Sequence, residues 1–205
     1  DRRRAARDCP RGLRRERGVG VSVLPIRVLG DPVLREETLP VAEVTDALRQ
    51  LIDDMFDTMY AASGIGLAAP QVGRTERVCV VEVEGAAYAL VNPEVVTADG
   101  PKDKTEAGCL AIPDVYGDVT RPSRVVVRAL DRDGKAIEVA AEGLLGRCIQ
   151  HEIDHLHGKL FIDHLSFLKR RSALARWEEE KGQYPGFIRI LRAGKSKSQH
   201  PEEEL

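Results

Sequence analysis

Residues 151–155 read His-Glu-Ile-Asp-His. On a helix this H-E-x-x-H pattern sets two imidazoles one turn apart on one face, where neutral rings can grip one divalent metal, with a carboxylate beside them as a base. At about 100° per residue, Leu144, Cys148, His151 and His155 fall in one stripe. Glu152 lies at the edge of that stripe, offset from the ligand pair but within reach of a water on the metal. Five-residue patterns also recur by chance on half-buried helices, so a catalytic reading requires a third protein ligand and an open fourth position.

The search for the third ligand is selective. In the longer pattern HExxHxxGxxH, Gly158 is in place but Phe161 stands where the third histidine belongs, which disfavours a metzincin. A downstream glutamate would have to be Glu178, Glu179 or Glu180, all in a charge-rich surface stretch. Upstream lie Glu106-Ala107-Gly108-Cys109-Leu110 and the small-residue loop 64–73, Gly-Ile-Gly-Leu-Ala-Ala-Pro-Gln-Val-Gly. Taken alone, Cys109 reads as a small buried hydrophobe and Gln71 as a loop residue.

The elements that must position these groups form a soluble α+β pattern. The 205-residue chain fits one ordinary domain, with a core that needs no disulfide or structural metal. Its four cysteines include no CxxC pair, which points to reduced thiols. A formal net charge of -2 gives no basic excess for nucleic acid, and no apolar run reaches the roughly 18 residues of a membrane span. An apolar run over 21–29 ends in Gly30-Asp31-Pro32. Helical spacing over 44–59 predicts a packed helix with Gly64 as its stop. Strands are predicted over 77–83, 87–91, 124–129 and 136–140, the last two joined as a hairpin through Asp131-Arg132-Asp133-Gly134. A helix over 144–157 stops at Gly158, and a more polar helix covers 166–181. His157, two residues beyond His155, points to another face and into solvent. The arginine-rich stretch 1–20 reads as a mobile basic extension and 193–205 as a disordered tail, leaving 21–166 as the catalytic domain and 167–192 as a C-terminal helix and following segment.

Together, the 64–73 loop, the Gly108-Cys109-Leu110 segment and Gln150 to Leu156 resemble the peptide deformylases. That family is marked, in this order, by a G-x-G-x-A-A-x-Q loop, an E-G-C-L-S loop and a Q-H-E-x-D-H-L helix. The resemblance covers roughly residues 21–166. It implies a single domain with short antiparallel and mixed strands packed around a central H-E-x-x-H helix. The implied activity is removal of the formyl group from N-formylmethionyl nascent peptides, with release of formate. The implied metal ligands are Cys109, His151 and His155. The metal would be Fe(II), replaceable by Zn(II), Ni(II) or Co(II), and the iron form would be oxygen-sensitive. Glu152 is then the acid-base residue, while the Gln71 amide and the Leu110 N–H face the formyl oxygen. Ile65, Gly66, Leu67, Gly108, Leu144 and Cys148 line the methionine pocket.

Some positions depart from the pattern. Ala107 precedes Gly108 where glutamate is usual, Ala111 replaces the serine, and Tyr116 stands where relatives often carry arginine. Recognition beyond the methionine is therefore left open. Lys169, Arg170, Arg171 and Arg176 form a basic cluster on the C-terminal helix that a ribosome-docking deformylase would use, although a charge run is more often a solvated face. A small metallopeptidase and a catalytically inactive ribosome-binding protein are the competing functions. The expected compartment is the bacterial cytoplasm, with an organelle as the alternative.

Overall fold

The computed structural model describes residues 22–191. The expectations for 1–20 and 193–205 lie outside the described residues. The chain enters through β1 (Ile26–Arg27) and a 3-10 turn, Pro32–Arg35, whose first N–H, that of Val33, donates to the Asp31 carboxylate. It then forms α1 (Asp46–Ala61). The Thr45 hydroxyl accepts from the Leu48 N–H at 3.2 Å and starts this helix. Its buried face, Leu48, Leu51, Ile52, Met55 and Met59, carries the periodicity seen in the sequence. Each such side chain contributes about 1.5–3 kcal/mol when fully removed from water.

The stop of α1 differs from expectation. Ser63, not Gly64, takes the left-handed conformation at φ 58°, and the Gly64 N–H reaches back to Met59 O at 2.9 Å. Gly64 is required for packing, because a Cβ there would lie 2.7 Å from Leu110 Cδ1.

Five strands follow in an antiparallel sheet ordered as in the chain: β2 (Gly66–Ala68), β3 (Val78–Val83), β4 (Ala86–Ala107), β5 (Gly117–Leu130) and β6 (Ala136–Glu142). Strand alternation divides the core in two. Val78 and Val80 join Leu67, Val91 and Leu110 in the cluster around α1. Cys79, Val81 and Leu90 instead join the cluster around α2 (Gly143–Leu156). The 131–134 hairpin turn is observed, with the Asp131 carboxylate accepting from the N–H groups of Asp133 and Lys135 at 2.8 and 2.9 Å.

The strands β4 and β5 are far longer than their apolar segments predict. They form one ribbon in register from Val91 opposite Leu130 to Ala107 opposite Gly117, interrupted by three register shifts. From 94 to 106 every residue of β4 is exposed. Gly100, Pro101 and several charged side chains fall on this stretch and discourage pairing with another chain. After α2 come the 3-10 turn Phe161–His164, then α3 (Phe167–Glu180), and finally β7 (Ile188–Arg189), which pairs antiparallel with β1. The pairing of β7 with β1 was not expected from the sequence.

Candidate metal centre

The helix α2 is buried from Gly146 through Ile153, and again at His155 and Leu156. A helix so enclosed must satisfy its polar side chains internally. Gln150 Nε2 donates to Pro122 O and Gly146 O, both at 3.0 Å. The Asp154 carboxylate meets Arg121 at 2.7 Å and His164 Nε2 at 2.8 Å. Despite its burial, its pKa falls to about 2, because His164 and Arg121 stabilise the anion.

His151 and His155 have no such protein partners in the usual sense; they face each other and a thiol. Their Nε2 atoms lie 3.2 Å apart, and Cys109 Sγ lies 3.1 Å from His155 Nε2. All three ligand atoms fall within 4.8 Å of one another, and all three residues are buried. Burial, followed by the neighbouring imidazole, pushes the His151 pKa well down. Burial lowers that of His155 to about 4. Both rings are therefore neutral at physiological pH, the form that binds metals. Around a tetrahedral ion with bonds of about 2.3 Å to sulfur and about 2.1 Å to nitrogen, donors sit about 3.4–3.6 Å apart. The two spacings to His155 Nε2 are slightly tighter than this, and the three donors together span no more than 4.8 Å, so the trio is of the right size to hold one ion after a small rearrangement of its side chains. His155 Nδ1 lacks a hydrogen-bond partner.

The Glu152 side chain is 1% exposed as a residue, and neither carboxylate oxygen has a hydrogen-bond partner. Burial drives its pKa well up. A buried carboxyl without a protein hydrogen-bond partner is costly for folding and useful for proton transfer. Gly66 makes room for it: a Cβ there would stand 2.3 Å from Glu152 Oε1 and 2.7 Å from Cys148 Sγ. The missing side chain is thus needed first for β2 to lie against α2.

The Gln71 amide is held in one orientation. Its Oε1 accepts from the Ala68 N–H at 2.6 Å, which turns Nε2 toward Cys109 Sγ at 3.6 Å. Cys109 lies in the 108–116 connection between β4 and β5, where its carbonyl accepts from the Ile112 N–H at 2.9 Å and its sulfur accepts from the Ala111 N–H at 3.4 Å. Ala111 therefore contributes through its backbone N–H, which any residue other than proline supplies there. Leu110 follows Cys109 directly and is buried in the α1 cluster.

The expected pocket residues divide in a way the sequence did not reveal. Ile65 and Leu144 are half-buried against the cluster that contains Cys109 and Cys148. Gly108 is buried beside Cys109, and Cys148 Sγ donates to Ile65 O at 3.4 Å. Leu67 belongs to the other cluster: its side chain is fully buried with Met55 and Val80, so only its backbone faces the α2 side. His157 is exposed as expected, with Nδ1 at 2.6 Å from Glu37 Oε1. The Arg121–Asp154–His164 network was missed. Asp154 was visible inside the motif, but its partners stand 33 and 10 residues away with no local pattern to join them.

A thiol and two neutral imidazoles converging beside a buried carboxyl have the composition of a single-metal hydrolase centre on an α+β scaffold. Residues 23–171 match the polypeptide deformylase family. The chain is 53% identical over 163 residues to a peptide deformylase of Hydrogenovibrio crunogenus, covering 78% of this chain and 96% of that protein. Its structure is similar to a peptide deformylase from Legionella pneumophila, with TM-score 0.75, 45% identity and coverage of 78% and 96% of the two chains. A peptide deformylase from Ehrlichia chaffeensis in complex with actinonin gives TM-score 0.74 at 38% identity, covering 78% and 98%. The chain belongs to the polypeptide deformylase family, metal-dependent hydrolases that remove the N-formyl group from nascent peptides. Among the described residues, no helix is long and apolar enough to cross a membrane.

Proposed function

We propose that Cys109, His151 and His155 hold one divalent metal, Fe(II) in the cell, and that Glu152 moves the protons of deformylation. The convergence of Sγ and two Nε2 atoms beside an unpartnered buried carboxyl carries this reading. When bound, the metal supplies Lewis acidity, which acidifies a water and polarises a carbonyl.

The chain's own groups do the rest. Glu152 takes a proton as water oxygen adds to the formyl carbon, and returns it to the amine nitrogen as the C–N bond breaks, leaving formate and a free N-terminal methionine. A carboxyl can serve both halves of the transfer, accepting as the anion and donating as the acid. The Gln71 amide N–H, fixed by Ala68, and the Leu110 N–H meet the charge that develops on the formyl oxygen. Ile65, Leu144 and Cys148, with the backbone of Gly66, Leu67 and Gly108, form the walls for an unbranched methionine side chain. Thiolate and imidazole ligands also accept Zn(II), Ni(II) and Co(II).

On the same reading α3 touches the ribosome through its exposed Arg171 and Arg176, next to the exposed Phe167 and Leu168, while Lys169 and Arg170 hold the helix to Asp118 and Asp163. A ribosome-pelleting assay in which binding is absent at low salt removes that part.

The metal reading is tested by titrating metal-free protein with Co(II). One equivalent should bind with a sulfur-to-cobalt absorption that is lost in Cys109→Ala. A full-strength band in that variant would exclude Cys109 as a ligand.

A further inference from the structure

Arg147 stands one turn before His151 on α2, is 5% exposed, and lies outside the motif of residues 150–156. Its hydrogen-bond partners are backbone carbonyls. Nη1 donates to Asp103 O at 3.2 Å, and Nη2 donates to Thr105 O at 3.3 Å and Val119 O at 3.1 Å. Asp103 and Thr105 are on β4, and Val119, on β5, is the register partner of Thr105. These residues are the two stems of the 108–116 connection, and Thr105 is only four positions before Cys109.

We infer that Arg147 is a positioning residue for the metal centre, holding both stems of the segment that carries Cys109 against the helix that carries His151 and His155. Beyond residue 94, β4 pairs only with β5 and is exposed as far as 106, so the sheet alone does little to fix the ribbon's end relative to α2. Other side chains of α2 reach β5: Gln150 bonds Pro122 O, and Asp154 pairs with Arg121. Among the hydrogen bonds of the described residues, those of Arg147 are the ones that run from α2 to β4. One planar guanidinium can bridge three carbonyls in a fixed arrangement; an ammonium offers its three donors from a single rotatable nitrogen, and an apolar side chain offers none. Because Cys109 is supplied by the ribbon and both histidines by the helix, any slippage between the two changes the sulfur-to-nitrogen spacing.

The inference rests on the three-ligand reading above and concerns geometry, not contact with substrate. The test compares parent, Arg147→Leu and Arg147→Lys proteins loaded with Co(II). Arg147→Leu should weaken Co(II) affinity by about 10-fold or more in competition with a chelator, as loss of groups that orient ligands does. Its sulfur-to-cobalt absorption should shift or weaken, and kcat should fall with KM for a formylated peptide little changed. Arg147→Lys should recover part of each loss. Parent-like affinity and absorption in both variants, whatever their melting temperatures, would overturn the inference and leave Arg147 a stability clamp. If the leucine variant does not fold, the lysine variant decides alone: weakened affinity with an altered band supports the inference, and parent-like values overturn it. A parent protein without any sulfur-to-cobalt band contradicts the ligand set itself, and the inference falls with it.

Discussion

The helices α2 and α3 have the same length, 14 residues, and opposite environments. In α3 only Ala173 and Trp177 are buried, and Trp177 stacks on Tyr184 with ring centroids 5.7 Å apart. Its charged residues face water or make exposed ion pairs, so each can change at small cost. In α2 the buried side chains include Arg147, Gln150, His151, Glu152 and His155, five polar groups that a packing helix would ordinarily exclude. Three roles account for them. Arg147 and Gln150 bind backbone carbonyls of the ribbon, His151 and His155 face Cys109, and Glu152 is left without a partner. The comparison separates polar residues that decorate a surface from polar residues that the fold must be built around.

Perturbing each side of this contrast should give effects of very different size. Replacing His151 with alanine removes a candidate ligand; bound metal measured by atomic absorption should fall to background, and activity should fall at least as far as the ~10³-fold of a lost acid-base group. Full metal occupancy in that variant would sink the assignment of His151. Gln71→Leu should keep its metal and lose ~100-fold or more in kcat, as for other sites that lose one oxyanion donor. A purely structural Gln71 would instead lower the melting temperature and leave kcat intact. Arg121→Met leaves Asp154 facing only His164 and should destabilise the fold by about 3 kcal/mol in denaturant unfolding.

The pH dependence follows from the same burial. Both site histidines have folded pKa values depressed below the ordinary 6.5, His155 to about 4. Their neutral burial leaves stability intact above the unfolded value, and that stability is lost as pH falls through 6.5 toward about 4, where the unfolded chain binds protons that the folded one refuses. Metal-free protein should therefore show a falling urea midpoint between pH 7 and 4.5, and His155→Gln should flatten that fall. At the small end, Arg171→Ala and Arg176→Ala on α3 should shift stability by no more than about 0.5 kcal/mol. A larger shift would show that α3 is tied to the fold by contacts its exposure does not suggest.

The legibility of the sequence follows the same division. The α1 face and the α2 stripe were readable because apolar and chemical residues recur with the helical period, and Cys109 was readable through the order of three segments. The ribbon was not. Residues 94–106 are exposed on both faces, so no alternation marks them as a strand, and their pairing depends on β5 far along the chain. Two-residue β7 pairs with β1 across most of the sequence and leaves no local pattern. The family resemblance placed Leu67 in the pocket; strand alternation puts its side chain in the α1 cluster and leaves its backbone to line the other face. Gly66 was expected to line the methionine pocket, and the structure adds that the Glu152 carboxyl occupies the space a side chain there would need.

The central claim, that a buried carboxyl beside one thiol and two imidazoles performs deformylation, is tested most directly by formate release from a formyl-methionyl tripeptide. Parent and Glu152→Ala proteins would be loaded anaerobically with Fe(II) to the same measured occupancy. Formate should appear with the parent at a rate at least ~10³-fold above the variant. Equal rates at equal metal content, or no formate from fully loaded parent, would contradict the account.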